Sequence, residues 1–208
     1  APDAWGLVKH ESPHPPREVF TPSAMEQRML ERRVERLPRS GTAIAVGGGT
    51  ACDAAKLFAA KTGARLILAP SILSTAAPFT PSVAIRVERR VRHVAGAAPD
   101  HLLIDFNLLE AAPPRLNRAG VADVLALATA LADWRLAAAH AGETLDESVA
   151  AAVQALLDRL FAGADDLHAA NEAGLRLLAE LHAAAAPHHH LRERSAHHFA
   201  YALEAATG

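Results

Sequence analysis

Thr42-Ala43-Ile44-Ala45-Val46-Gly47-Gly48-Gly49-Thr50-Ala51-Cys52-Asp53-Ala54-Ala55-Lys56 is the stretch on which the reading of this chain turns. Thr42 to Val46 suits a short buried strand, and it runs straight into three glycines. A helix is expected from about Ala51 to Lys61, closed by Gly63, and Arg65 to Ala69 is the next apolar strand, ending at Pro70. Parallel strands need a crossover, so strand, glycine turn, helix and strand in this order predict a parallel sheet covered by helices. A glycine turn lets backbone approach a ligand, and the helix behind it offers free N–H groups and a positive dipole end to a phosphate. The spacing is not the G-x-G-x-x-G dinucleotide fingerprint, which lends no support here.

Working outward, Ser82–Val87 and Val91–Val94 could pair as a hairpin, and Leu102–Ile104 reads as one more strand of the main sheet. Residues 1–20 are rich in Pro and His without a period and are expected to form a loop or arm. A helix should follow, with Thr21 and Pro22 as cap and first position and Ser23 with Glu26 at capping-box spacing. Met25, Met29, Leu30, Val34 and Leu37 fall on one stripe, and Pro38 and Gly41 stop it. Beyond Pro113 and Pro114 alanine and leucine dominate and strand signals vanish. Helices are expected near 117–141, 146–161, 164–185 and 190–206, with Thr144 and Glu147 capping the second. The division expected is an α/β part over residues 1–110 and an all-helical part over 111–208.

Half of the 208 residues are apolar and the formal net charge is only -2, which argues against disorder, nucleic acid and a membrane surface. The single cysteine, Cys52, excludes an internal disulfide framework and fits a reducing compartment. Neither a bilayer-length apolar run nor a basic-then-apolar leader is seen, so a cytoplasmic location is expected. The chain starts at Ala1 without methionine, so either the initiator was removed or sequence upstream is missing.

Four segments carry a resemblance. Gly47 through Lys56 is similar to the GGGxxxDxAK segment of iron-containing alcohol, glycerol and glycerol-1-phosphate dehydrogenases. Pro70-Ser71-Ile72-Leu73-Ser74-Thr75-Ala76-Ala77-Pro78 resembles their P-T-x-x-S-T-D-A-P loop. Arg118-Ala119-Gly120-Val121-Ala122-Asp123, continuing through Thr129-Ala130-Leu131-Ala132-Asp133-Trp134, resembles the R-A-G-x-x-D…T-A-L-x-D-W segment of glycerol-1-phosphate dehydrogenases. Ser195-Ala196-His197-His198-Phe199-Ala200-Tyr201 is similar to their A-E-H-x-x-S-H helix.

The resemblance implies a dehydroquinate synthase-like architecture, a Rossmann-like α/β domain followed by a helical metal and substrate domain. It implies NAD or NADP as cofactor, with Gly47, Gly48, Gly49, Thr50 and Asp53 at the pyrophosphate and Ser71, Ser74 and Thr75 along the nicotinamide. It implies a divalent metal, zinc before iron, on Asp123 and His197 in a cleft between the two parts, and a homo-oligomer acting on a small-molecule polyol or polyol phosphate such as glycerol 1-phosphate. Carboxylate and imidazole suit either ion, and the cation would polarise a substrate hydroxyl for hydride transfer. No catalytic side chain is assigned.

Plainer readings stand beside these. Asp123 could simply complement a helix dipole. Adjacent His197 and His198 point about 100° apart on a helix and do not easily share one ion. His188–His190 reads as an exposed loop cluster, Trp134 as core and Cys52 as a small buried residue. Against the family pattern, Ala76 replaces a substrate-contacting Asp, Ala196 a Glu and Tyr201 a His, and a further ligand histidine would fall beyond Gly208. The family also has more α/β sequence ahead of the glycine turn. The chain is therefore either incomplete at both ends or a shortened relative with an altered site. A sugar phosphate cyclase of the dehydroquinate synthase type, which usually has Glu at the Asp123 position, and a non-catalytic relative are the alternatives.

Overall fold

The strand–turn–helix–strand expectation is met in the computed structural model, which describes residues 4–9, 15–22, 25–39, 41–192 and 194–207. In chain order the elements are α1 (Ala4–Val8), α2 (Gln27–Arg36), β1 (Thr42–Gly47), α3 (Gly49–Thr62), β2 (Arg65–Pro70), β3 (Ser82–Val87), β4 (Arg90–Ala95), β5 (His101–Leu102) and α4 (Phe106–Glu110). Then come α5 (Pro114–His140), α6 (Glu147–Ala162), α7 (Ala164–Ala169), α8 (Glu172–Ala185) and α9 (Ser195–Thr207), with 3-10 turns at Ala77–Phe79 and Ala186–Arg192. Two compact units result: residues 1–72 with 77–112, and residues 73–76 with 113–208.

In the first unit β1, β2 and β5 form a parallel sheet in that order, with Gly47 opposite Pro70. Ala45, Cys52, Ala59, Leu66 and Leu68 bury one face of it under α3. The opposite side of α3 meets the antiparallel β3–β4 hairpin and α2, where Leu30, Val34, Phe58, Val83 and Ile85 form a second cluster. Three expectations need correcting. Residues 4–8, expected within a loop or arm, are helical. Helix α2 begins only at Gln27, because Glu26 is extended and bridges Arg86, so Thr21 and Pro22 lie outside it. Ser23 lies outside the described residues. The last strand is only His101–Leu102.

A lysine is buried completely in this unit. Lys56 on α3 donates to the carbonyls of Ala77 (2.9 Å), Thr80 (3.1 Å) and Ser82, and its ammonium lies 2.6 Å from Asp53 Oδ1. Three N–H donors thus meet three carbonyls while the carboxylate neutralises the charge. Asp53 Oδ2 in turn accepts the Ala84 N–H at 3.0 Å. One ion pair on α3 thereby fixes the whole run from Ala77 to Ala84.

The second unit rests on α5. Asn117, Gly120, Val124, Leu127, Leu131 and Trp134 recur at helical spacing and face inward, and the Trp134 indole N–H donates to the Thr144 carbonyl at 3.0 Å. Helix α6 is capped by Asp146, whose side chain accepts from Ser148 and Val149, and not by the expected Thr144. The helix expected over 164–185 is broken. Ala170 turns left-handed and the Asn171 side chain captures the Gly174 N–H at 2.8 Å, starting α8 anew. The segment 190–206 likewise splits into the 3-10 turn and α9.

Removing one partner from a buried ion pair leaves the other uncompensated, which costs about 3–5 kcal/mol. Lys56→Met should lower stability by that amount in urea denaturation, and Lys56→Met with Asp53→Asn should recover part of the loss. Additive losses in the double variant would deny the pairing its structural weight.

Candidate functional site

At the glycine turn Gly47 has φ 152°, and a Cβ there would lie 2.8 Å from that of Ala51, so only glycine leads from β1 into α3 without strain. Gly48 is the N-cap of α3 and provides no side-chain acceptor, and its carbonyl takes the Ala51 and Cys52 N–H groups. The N–H groups ahead of Ala51 at this helix end have no acceptor within the helix itself. Ser71 follows β2 and donates its N–H to the Gly47 carbonyl at 3.0 Å, which sets it beside the turn. Its Oγ is buried with no hydrogen-bond partner among the described residues. Thr50 is exposed. Asp53, expected at the cofactor, has both oxygens engaged by Lys56 and Ala84 within the fold.

Ser74 and Thr75 belong to the second unit, where their segment is held by α5. The Leu73 N–H donates to Asn117 Oδ1 at 2.8 Å, and the Ala76 N–H to Asp123 Oδ2 at 3.1 Å. Gly120 permits this approach: a Cβ there would stand 1.8 Å from the Leu73 carbonyl oxygen. Thr75 itself is exposed, and Ser74 half-buried.

Asp123 and His197 converge. Asp123 Oδ1 lies 3.6 Å from His197 Nε2, while Oδ2 is committed to Ala76. Two ligands at 2.0–2.2 Å from one tetrahedral ion stand about 3.3–3.6 Å apart, so this pair fits two corners of such a site. A third residue joins them that the sequence reading passed over. His182 on α8 is fully buried, with Nδ1 3.8 Å from Asp123 Oδ2 and Nε2 3.3 Å from the Leu73 carbonyl. A carbonyl only accepts, so Nε2 carries the hydrogen and Nδ1 faces the carboxylate. The signal lay in its place on the buried α8 stripe with Leu175, Leu178 and Ala185. Among the described residues no cluster of three or more His, Cys, Asp or Glu side chains is arranged to hold a metal. Tyr201 stands edge-on to the His197 ring, with centroids 5.9 Å apart. His198 and His190 are exposed.

Cys52 is fully buried, and burial pushes its thiol up to about 12. Because the folded value exceeds the ordinary one near 9, its contribution to stability is complete below that pH and lost as pH rises towards 12. Alkylation of the native protein at pH 8 should spare Cys52 and proceed once denaturant is added, as peptide mass spectrometry will read. Gly120→Ala should shift the 73–76 backbone away from α5 and cost roughly 1–3 kcal/mol. Faster hydrogen exchange at Leu73 and Ala76 is the expected sign, and unchanged exchange would show that the helix simply gives way.

Residues 16–113 match the model of the iron-containing alcohol dehydrogenase family. Glycerol-1-phosphate dehydrogenase [NAD(P)+] of Sulfurisphaera tokodaii is 32% identical over 142 residues, which are 68% of this chain and 41% of that protein. The enzyme of the same name from Hyperthermus butylicus is 38% identical over 110 residues, 51% of this chain and 31% of that protein. The chain thus spans well under half the length of these relatives. Among solved structures, a probable glycerol dehydrogenase from Sinorhizobium meliloti superposes with a TM-score of 0.61 at 26% identity, covering 77% of this chain and 49% of that one. An iron-containing alcohol dehydrogenase from Thermotoga maritima shares the fold at a TM-score of 0.63 and 16% identity, covering 81% and 51%. The chain is thus similar to the iron-containing alcohol dehydrogenase family over residues 16–113, and to glycerol-1-phosphate dehydrogenases over as much as 68% of its length at 32% identity.

Proposed function

We propose that this chain forms part of an NAD(P)-dependent, metal-dependent dehydrogenase that moves a hydride between the nicotinamide and a polyol phosphate such as glycerol 1-phosphate. The observation that carries this reading is the approach of His197 Nε2 to Asp123 Oδ1 at 3.6 Å. In this reading residues 1–110 bind the nucleotide and 111–208 carry metal and substrate. The first N–H groups of α3, at Gly49 and Thr50, receive the pyrophosphate, and a bulkier residue at Gly48 would obstruct it. Ser71 offers a hydroxyl with no other partner among the described residues, and Ser74 and Thr75 lie along the nicotinamide. Asp53 serves the cofactor indirectly, by holding Lys56 and the Ala77–Ala84 run in place.

Asp123 and His197 would hold a divalent ion, zinc before iron, which as a Lewis acid polarises the substrate hydroxyl. Water or a residue outside this chain completes the shell. Asp123 in place of the cyclase glutamate favours the dehydrogenase over the sugar phosphate cyclase. Ala76 is buried and its N–H is taken by Asp123, so it offers the substrate no carboxylate. Substrate hydroxyls must therefore be recognised by other groups than in relatives with Asp there. No helix among the described residues is long and apolar enough to cross a membrane. A cytoplasmic homo-oligomer completes the reading.

The test is a pair of titrations on the purified protein and two variants, with NADH followed by fluorescence and Co2+ by visible absorption. Gly48→Val should weaken NADH at least about tenfold, the scale of one lost phosphate contact or more. Asp123→Ala should abolish Co2+ binding and leave NADH binding intact. A protein that binds neither probe is a non-catalytic relative, and the proposal then fails.

A further inference from the structure

Helix α9 carries His197, yet none of its described residues is buried. Phe199 and Leu203, its large apolar side chains, are 73% and 53% exposed. Apolar packing among the described residues therefore does little to set the rotation or the axial position of this helix. Polar contacts at its first turn do that work instead. Asp133 Oδ2 on α5 accepts the Ser195 N–H at 3.0 Å. One residue earlier, Arg194 is paired with Glu143, which follows the end of α5, through both guanidinium nitrogens. The carboxylate at the helix start also suits the α9 dipole. Hydrogen bonds from Ser195 hold the Asp133 carboxyl below the usual carboxylate range, as expected for an ionised group occupied by donors.

We infer that Asp133 is a positioning residue for the metal pair: by gripping the Ser195 backbone it fixes where His197 stands relative to Asp123. The inference rests on the metal reading proposed above. Asp123 and Asp133 sit on the same helix, about 15 Å apart at 1.5 Å per residue, so the ligand and the grip share one rigid body. Ser195 is two residues before His197, too short a span to absorb a shift without moving the imidazole. Beside that grip, the Arg194–Glu143 pair is partly exposed and joins two flexible side chains. Such a pair restrains direction far less than a hydrogen bond to backbone.

Removal of a group that orients a metal ligand commonly lowers metal affinity 10–100-fold. The test is Co2+ titration by visible absorption on the whole chain, with circular dichroism of the metal-free protein as a check on folding. Asp133→Ala should lose at least about tenfold in Co2+ affinity. Asp133→Asn should stay within about threefold of wild type, because its amide oxygen accepts the same N–H. A fold-stabilising role alone would not separate these two variants in a metal titration of folded protein. If Asp133→Ala does not fold, Arg194→Met gives the second reading: it should weaken Co2+ in the same direction but by less. Unchanged affinity in the folded Asp133→Ala or Arg194→Met protein overturns the inference, as does equal loss in the alanine and asparagine variants. Asp123→Ala separates this outcome from failure of the metal reading. If it abolishes Co2+ binding while Asp133→Ala does not alter it, only the positioning role falls. If Asp123→Ala binds Co2+ like wild type, the metal reading falls with it.

Discussion

The carboxylate of Asp123 is divided between a backbone N–H and a facing imidazole, and the 73–76 segment, α8 and α9 each bring a group to it. Oδ2 accepts the Ala76 N–H and has His182 beside it, which leaves Oδ1 turned to His197. A carboxylate that already satisfies one buried donor cannot rotate freely, so its remaining oxygen is presented in a fixed direction before any ligand arrives. Gly120, one turn earlier on α5, makes this possible by letting the helix come against the Leu73 carbonyl. Asn117, one turn earlier again, takes the Leu73 N–H. Three residues at successive turns of one helix thus grip one short segment.

The first unit solves a related problem with opposite charge. Burying Lys56 would be prohibitive alone, and its cost is offset by Asp53 and three carbonyls that need donors. The return is a connection from Ala77 to Ala84 with little freedom. In both units a charged side chain on a helix organises a neighbouring length of irregular backbone. Residues that look like ligand contacts in a motif can therefore be tied to the polypeptide itself, as Asp53 is.

The parallel sheet was legible because Thr42–Val46 and Arg65–Ala69 are apolar runs separated by a glycine turn and one helix, a pattern with few alternative solutions. The helical character after Pro114 was equally plain from alanine, leucine and their spacing. What escaped were features decided by single side chains competing for backbone N–H groups. Asn171 ends one helix and starts another, and Asp146 displaces Thr144 as a cap. Glu26 is drawn into a bridge with Arg86 from a distant strand, which sequence spacing does not announce. Asp123 and His197 were put forward through resemblance and not through periodicity. His182 left only the trace of a histidine on an otherwise apolar stripe, and such residues are more often core than site.

The ownership of Leu73–Ala76 has a practical side. By sequence this segment follows β2 and sits within the α/β part, yet it is packed into the helical unit. A fragment cut at Pro113 would look like a natural module and would still be missing an internal piece. Asn117 would lose its backbone donor, Asp123 would lose the contact that fixes its direction, and Gly120 would border a vacant groove. Dissection of the two units by expression or proteolysis will therefore succeed better by circular rearrangement, in which 73–76 stays tethered beside α5, than by truncation.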